Sequence, residues 1–153
     1  MPKKFKFRLE VILTHRKKIE DEKAGELGRA TQERLQAEAA VQAVLDQQQA
    51  VLARKAELQA SGQFYAADLE GYVRYMQSLQ AKEAERRRTL EKAREGEEKA
   101  RQELVIARQE REILDRLKQN QHTAYLKELD AAEMKLIDEL ATEAYARKAM
   151  GIE

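Results

Sequence analysis

Between Leu27 and Leu58, apolar residues return every seven positions, at Ala30, Ala37, Val44, Val51 and Leu58. A second row, Leu27, Arg34, Val41, Gln48 and Lys55, threads between them and mixes apolar with polar side chains. After Ser61-Gly62-Gln63 the rhythm resumes through Leu69, Met76, Glu83, Leu90, Glu97 and Leu104. Its companion row runs Tyr72, Leu79, Arg86, Ala93, Ala100, Ala107 and Leu114. Paired rows of this spacing are the a and d positions of helices that supercoil about a partner. Ser61-Gly62-Gln63 is the one compact turn signal between the two periodic stretches, so the partner is expected to be the chain itself. The pattern predicts an all-α protein, a long two-helix antiparallel coiled-coil hairpin forming a single unit over 1–153. Helix one is expected over about 8–60, the turn over about 61–65 and helix two over about 66–150.

The seam is uneven. Arg34, Gln48, Glu83, Arg86 and Glu97 stand where a strong zipper would carry leucine, so the expected rod is pliable and of modest stability. Glu83/Arg87, Glu97/Arg101, Glu112/Arg116 and Glu143/Arg147 have the Glu-first spacing that supports single helices. At about 1.5 Å per residue, helix one would reach about 80 Å and helix two about 125 Å. Pairing from the turn sets Leu58 near Leu69 and Leu9 near residues 115–120, leaving the end of helix two as an overhang. Asn120-Gln121-His122-Thr123 is a soft spot, because Asn and Thr favour local bonds that compete with helix. Beyond it, Leu126, Leu129, Leu136 and Leu140 make a fresh apolar stripe with no partner in this register. It either binds another protein or folds back. Gly25, Gly28, Gly71 and Gly96 are read as small residues tolerated in long helices.

Composition sharpens this picture. Charged residues make up 37% of the chain, aromatics 5%, and there is no Trp. Such a chain buries a thin stripe rather than a thick core. The only proline is Pro2, so nothing downstream carries the residue that most reliably breaks a helix. Net charge is +1, which argues against nucleic acid as a partner, since phosphate neutralisation needs a basic excess. The basic clusters Lys3-Lys4-Phe5-Lys6-Phe7-Arg8, Arg16-Lys17-Lys18 and Arg86-Arg87-Arg88 read as solvated faces. Val11-Ile12-Leu13 is far too short for a membrane span or a secretory signal. The expectation is a cytoplasmic protein without direct membrane insertion.

Chemistry is sparse. Without cysteine there is no disulfide, thiolate metal site or thiol nucleophile. His15 and His122 lack the carboxylate spacing of a metal site and are expected to face solvent. A general acid needs a pocket to shift its pKa, and a two-helix hairpin encloses none. No catalytic residue, cofactor or metal is expected, and the chain is read as a non-enzyme. The aromatics say more: Phe64, Tyr65, Tyr72 and Tyr75 crowd the turn, while Phe5 and Phe7 precede helix one. Tyr72 belongs to the seam. Tyr75 lies one position off it and is a candidate partner contact.

The opening Phe5-x-Phe7-x-Leu9-Glu10-Val11-Ile12-Leu13 resembles the N-terminal signature of the FliJ family, coiled-coil proteins of the bacterial flagellar export apparatus. Leu27-Gly28, Tyr72-x-x-Tyr75-x-x-x-Leu79 and the tail Ala144-Tyr145-Ala146-Arg147-Lys148 extend the resemblance over essentially the whole chain. It implies a fold like the central stalk of rotary ATPases. It also implies a linker between a hexameric export ATPase, FliI, and the cytoplasmic domain of the export gate, FlhA. Such a protein would sit in the cytoplasm, peripheral to the inner membrane at the flagellar base. Export chaperones are further partners that the resemblance implies.

By position, the gate contacts would be Val44, Val51, Tyr75 and Leu79; relatives carry an aromatic where this chain has Gln47, and differ again at Lys82. Arg8, Arg16, Lys17, Glu143, Arg147 and Lys148 would face the ATPase ring. The equivalent stalk of a virulence secretion system, an export chaperone and a generic coiled-coil adaptor remain the alternative readings.

Overall fold

The computed structural model describes residues 3–63 and 65–151. Two helices account for nearly all of them: α1, Glu10–Ala60, and α2, Ala66–Ala149. There is no strand among the described residues. Cross-helix pairs such as Lys23 with Glu103 and Gln48 with Glu83 run in opposite order along the two helices, so the hairpin is antiparallel.

Local chemistry fixes the ends of each helix. The first turn of α1 closes through Glu10 N–H to the Phe7 carbonyl at 3.1 Å. At its other end, Ser61 Oγ donates to the Leu58 carbonyl at 2.9 Å. Gly62 then takes φ 73°, a left-handed conformation that glycine adopts without the Cβ penalty. α2 starts with Asp68 Oδ2 accepting from Tyr65 N–H at 3.1 Å, which satisfies a donor that the helix leaves orphaned. It ends on Arg147 and Lys148 in its last turn, cations that suit the negative end of the helix dipole. Gly151 follows at φ 69°.

The chain divides into two compact units, one of residues 21–106 and one of residues 1–20 with 107–153. In the first, the interior is a single row of contacts. Ala37, Val41 and Leu90 form its central cluster, with Leu45 and Ala93 packed against it. Val44, Leu79, Ala100 and Leu104 are also buried. Apart from Leu45, these are the heptad positions read from the sequence; Leu69, at 40% exposure beside the turn, is the one of that unit that opens to solvent.

Four of the polar seam positions pair across the interface. Arg34 Nε donates to Glu97 Oε2 at 2.6 Å, and Gln48 Nε2 donates to Glu83 Oε1 at 3.0 Å. Glu97 is the buried charged residue of the chain's described interior. It also accepts from Arg101 one turn along, at 3.1 Å. These contacts stand where the seam lacks leucine layers and give its polar positions hydrogen-bonding partners.

In the second unit Leu13 is fully buried, with Phe7 and Ala107 close to it in burial. Ion pairs flank it: Arg16 with Glu110, Glu20 with Arg111, and Lys118 with Glu10 at 2.8 Å. The Glu10–Lys118 pair sets the start of α1 against the part of α2 that counting from the turn implies.

Candidate partner-binding surfaces

The residues able to act on anything outside are those that the seam leaves uncovered. Near the turn, helical spacing alternately buries and exposes the four residues that the resemblance assigns to the gate. Val44 is 2% exposed and Leu79 3%, because both are seam positions. Neither can touch a partner while the helices stay paired. Their role here is to hold the hairpin closed. Val51 is half-buried, and Tyr75, one position around α2 from the seam, is 49% exposed.

Tyr75 lines a shallow depression with Leu58, Gln63, Ala67, Asp68, Gly71 and Tyr72. Tyr65, at the turn, is largely exposed. Phe64 lies outside the described residues. Gln47 and Lys82 are exposed.

In the other unit, Arg8 and Lys17 are exposed, whereas Arg16 is partly covered by its pairing with Glu110. Glu143 and Arg147 face solvent and pair with each other at 3.6 Å, and Lys148 is exposed beside them. These six residues therefore offer charge, with Arg16, Glu143 and Arg147 held in ion pairs.

A feature absent from the sequence reading lies alongside. The segment before α1 packs onto α2 through an aromatic clasp. The Phe5 ring meets His122 edge-on, with centroids 5.0 Å apart, and lies 5.6 Å from Tyr125. Tyr125 O–H donates to the Lys3 carbonyl at 2.6 Å. The alternating aromatics of Phe5-x-Phe7 were the available signal, since they place two rings on one side of an extended segment. Lys3, Phe5 and Lys6 share a depression with Leu129 and Ala132, so this segment reaches the start of the apolar stripe. Leu136 and Leu140 further along stay exposed, as do Met134, Ile137 and Tyr145. His122 faces these rings and His15 faces solvent. No group of three or more His, Cys, Asp or Glu among the described residues is placed to hold a metal ion.

Electrostatics on both units are structural in character. The Arg34 guanidinium, hydrogen-bonded to Glu97, holds that carboxyl below the usual carboxylate range. Arg111 does the same for Glu20, and Arg87, followed by Gln48, for Glu83. Glu103 and Glu26 raise the Lys23 ammonium through their hydrogen bonds. Each of these shifts favours the charged form and so the ion pair or hydrogen bond that causes it.

No curated protein and no solved structure matched the chain. A family model did, described as the flagellar FliJ protein and aligned to residues 5–150. That alignment takes in the Phe5-x-Phe7 opening, both helices and the turn between them. This two-helix hairpin therefore belongs to the flagellar FliJ family and is a component of the flagellar protein export apparatus.

Proposed function

We propose that the protein is a non-enzymatic, stalk-like linker that joins the export ATPase, a FliI-like hexamer, to the cytoplasmic domain of an FlhA-like gate. The observation that carries this reading is the family match over residues 5–150. It is supported by the exposed aromatic and charged groups that the described surface offers for contact. Tyr75, with half-buried Val51 beside the seam, is the proposed gate contact. Val44 and Leu79 act one step back, fixing the helix faces that present Tyr75. Arg8, Arg16, Lys17, Glu143, Arg147 and Lys148 are proposed to meet the ring. As exposed charges they would make that contact sensitive to salt. Placement at the inner face of the membrane would come through these partners, since no helix among the described residues is long and apolar enough to cross a bilayer. Export chaperones are proposed as further partners of the exposed Leu136/Leu140 stripe.

The test is direct titration of the purified chain against the organism's export ATPase and, separately, its gate domain. Saturable binding to both is expected, with ATPase binding weakening as salt rises. Failure to bind either correctly folded partner removes the linker assignment.

A further inference from the structure

The seam row of α2 does not stop where α1 does. Lys118, His122, Tyr125, Leu129, Ala132, Leu136 and Leu140 follow three- and four-residue steps and share one face of the helix. At Lys118 that face is met by Glu10, the first residue of α1. From His122 to Ala132 it is met by the segment ahead of α1. The contacts are the Phe5 ring, the Tyr125–Lys3 hydrogen bond and the depression that Lys3, Lys4 and Lys6 share with Leu129 and Ala132. At Leu136 and Leu140 it opens to solvent, both leucines being 56% exposed. Extended chain advances about 3.3 Å per residue and helix about 1.5 Å, so the segment Lys3–Phe7 can lie along about eleven residues of helix. His122 to Ala132 is that length.

The hold is slight. Phe7 is buried and anchors the near end, but Phe5 is half-buried and Lys3, Lys4 and Lys6 are exposed. The Phe5 ring and one hydrogen bond of 2.6 Å keep the far end down. Segments with so few buried contacts are the first to open. Charge matches as well. Lys3–Arg8 carries four cations and no acid, whereas Tyr125–Leu140 carries five carboxylates and two lysines, and Glu128 borders the shared depression.

We infer that residues 3–7 are a releasable strap over the apolar row of α2, and that the partner docking on this row is a basic amphipathic helix that takes the strap's place. The inference rests on the reading of the Leu136/Leu140 stripe as a docking face and names the chemistry of its occupant. The strap itself states that chemistry: cations set around an apolar anchor, against an acidic face. Leu136 and Leu140 continue the row and suit anchors at helical spacing. An acidic partner, or the same face of a second copy, would set like charges together. A closed strap lowers the apparent affinity of its competitor by its closed-to-open ratio, on the order of tenfold for one ring contact and one hydrogen bond.

Fluorescence anisotropy on the full chain tests this, with a labelled synthetic helix carrying leucines at three- and four-residue steps among lysines. The parent should bind it, and the same peptide with glutamates for lysines should not bind. Phe5→Ala should bind the basic peptide about fivefold more tightly or better. Tyr125→Phe, which removes only the hydroxyl on Lys3, should move affinity the same way by a smaller factor. Leu136→Glu should weaken binding although it adds a carboxylate, which unspecific attraction of charges would not do. In NMR spectra of the parent, the His122 ring protons beside Phe5 should shift on peptide binding towards their positions in Phe5→Ala. Binding that leaves the His122 signals in place, or equal affinity in Phe5→Ala and parent, overturns the strap and leaves the docking face standing. No binding by either chain overturns both. Equal binding of the acidic peptide, or self-association of Phe5→Ala through this face, overturns the choice of partner.

Discussion

Tyr75 and Leu79 are four residues apart on α2, yet they should fail in opposite ways when cut back to alanine. Leu79 is 3% exposed in the seam. Its truncation withdraws about three carbon groups from a buried site, at about 0.8 kcal/mol each, or about 2.5 kcal/mol. The cavity surcharge should be small, because a two-helix seam can close up in a way that a thick core cannot. Against a total stability on the order of 5–15 kcal/mol, that is a large loss. Tyr75 is 49% exposed, so Tyr75→Ala should change stability by about 1 kcal/mol or less.

Urea unfolding followed at 222 nm gives the stability of each variant, and calorimetric titration with the gate domain gives its affinity. Leu79→Ala should shift the urea midpoint and leave affinity within about threefold, once measured at urea-free, folded conditions. Tyr75→Ala should keep the midpoint and weaken binding at least about tenfold, or about 1.4 kcal/mol. The reverse pattern, a silent midpoint with lost binding in Leu79→Ala, would falsify the placement of Leu79 inside the seam.

Further predictions follow from the turn and the seam. Gly62→Ala forces a side chain into the φ 73° conformation and should cost about 1 kcal/mol, whereas Gly96→Ala, with open space around its Cβ, should gain up to about 1 kcal/mol; urea midpoints moving the same way for both would refute the distinction. Replacing only Glu97 by Leu leaves Arg34 against hydrocarbon with Glu38 as its remaining partner and should lower the melting temperature more than the double change Arg34→Leu with Glu97→Leu, which removes both ends of the cross-helix pair. Acid should loosen the hairpin. The Glu20, Glu83 and Glu97 carboxyls sit below their ordinary value of 4.5 in the folded chain. Their stabilising contribution is thus complete above pH 4.5 and is lost as pH falls through the depressed folded values. Melting temperature should be level from pH 7 to about pH 5 and then drop; a flat profile down to about pH 3 would refute the role of these pairs. Phe5→Ala should release the segment before α1, seen as faster amide exchange around Tyr125 with the rest of the hairpin unchanged.

The heptad rows were legible because a supercoiled pair obeys spacing alone. Ala37, Val41, Leu90 and Leu104 could be placed in the interior by counting. Val44 and Leu79 show where two lines of reasoning collide: both stand in the heptad rows, yet the family resemblance also made them gate contacts. Both are buried in the seam, and the conflict was visible in the spacing itself. The pairing of Arg34 with Glu97 was less accessible, because it depends on which residues stand opposite each other, and register is a property of both helices together. Of the Phe5–His122–Tyr125 clasp only one side was legible, in the alternating aromatics of Phe5-x-Phe7. It joins an aperiodic segment to a site more than a hundred residues away, and no periodic pattern connects the two. What a partner sees was only partly readable. A helix wheel shows Tyr75 off the seam, but the groove between Leu52 and Val73 exists only once both helices are set side by side.

The Arg34–Glu97 contact has a mechanical corollary. If α1 slid along α2 by seven residues, Arg34 would come to face Leu90 or Leu104, and Glu97 would face Leu27 or Val41. Each charge would then lose its partner across the seam and keep only Glu38 or Arg101 on its own helix, while leucine would still meet leucine elsewhere without complaint. A seam of aliphatic residues alone would tolerate such slippage; this one ratchets shut in a single alignment. Tension drawn along one strand of the pair is thereby handed to the other instead of being lost to creep.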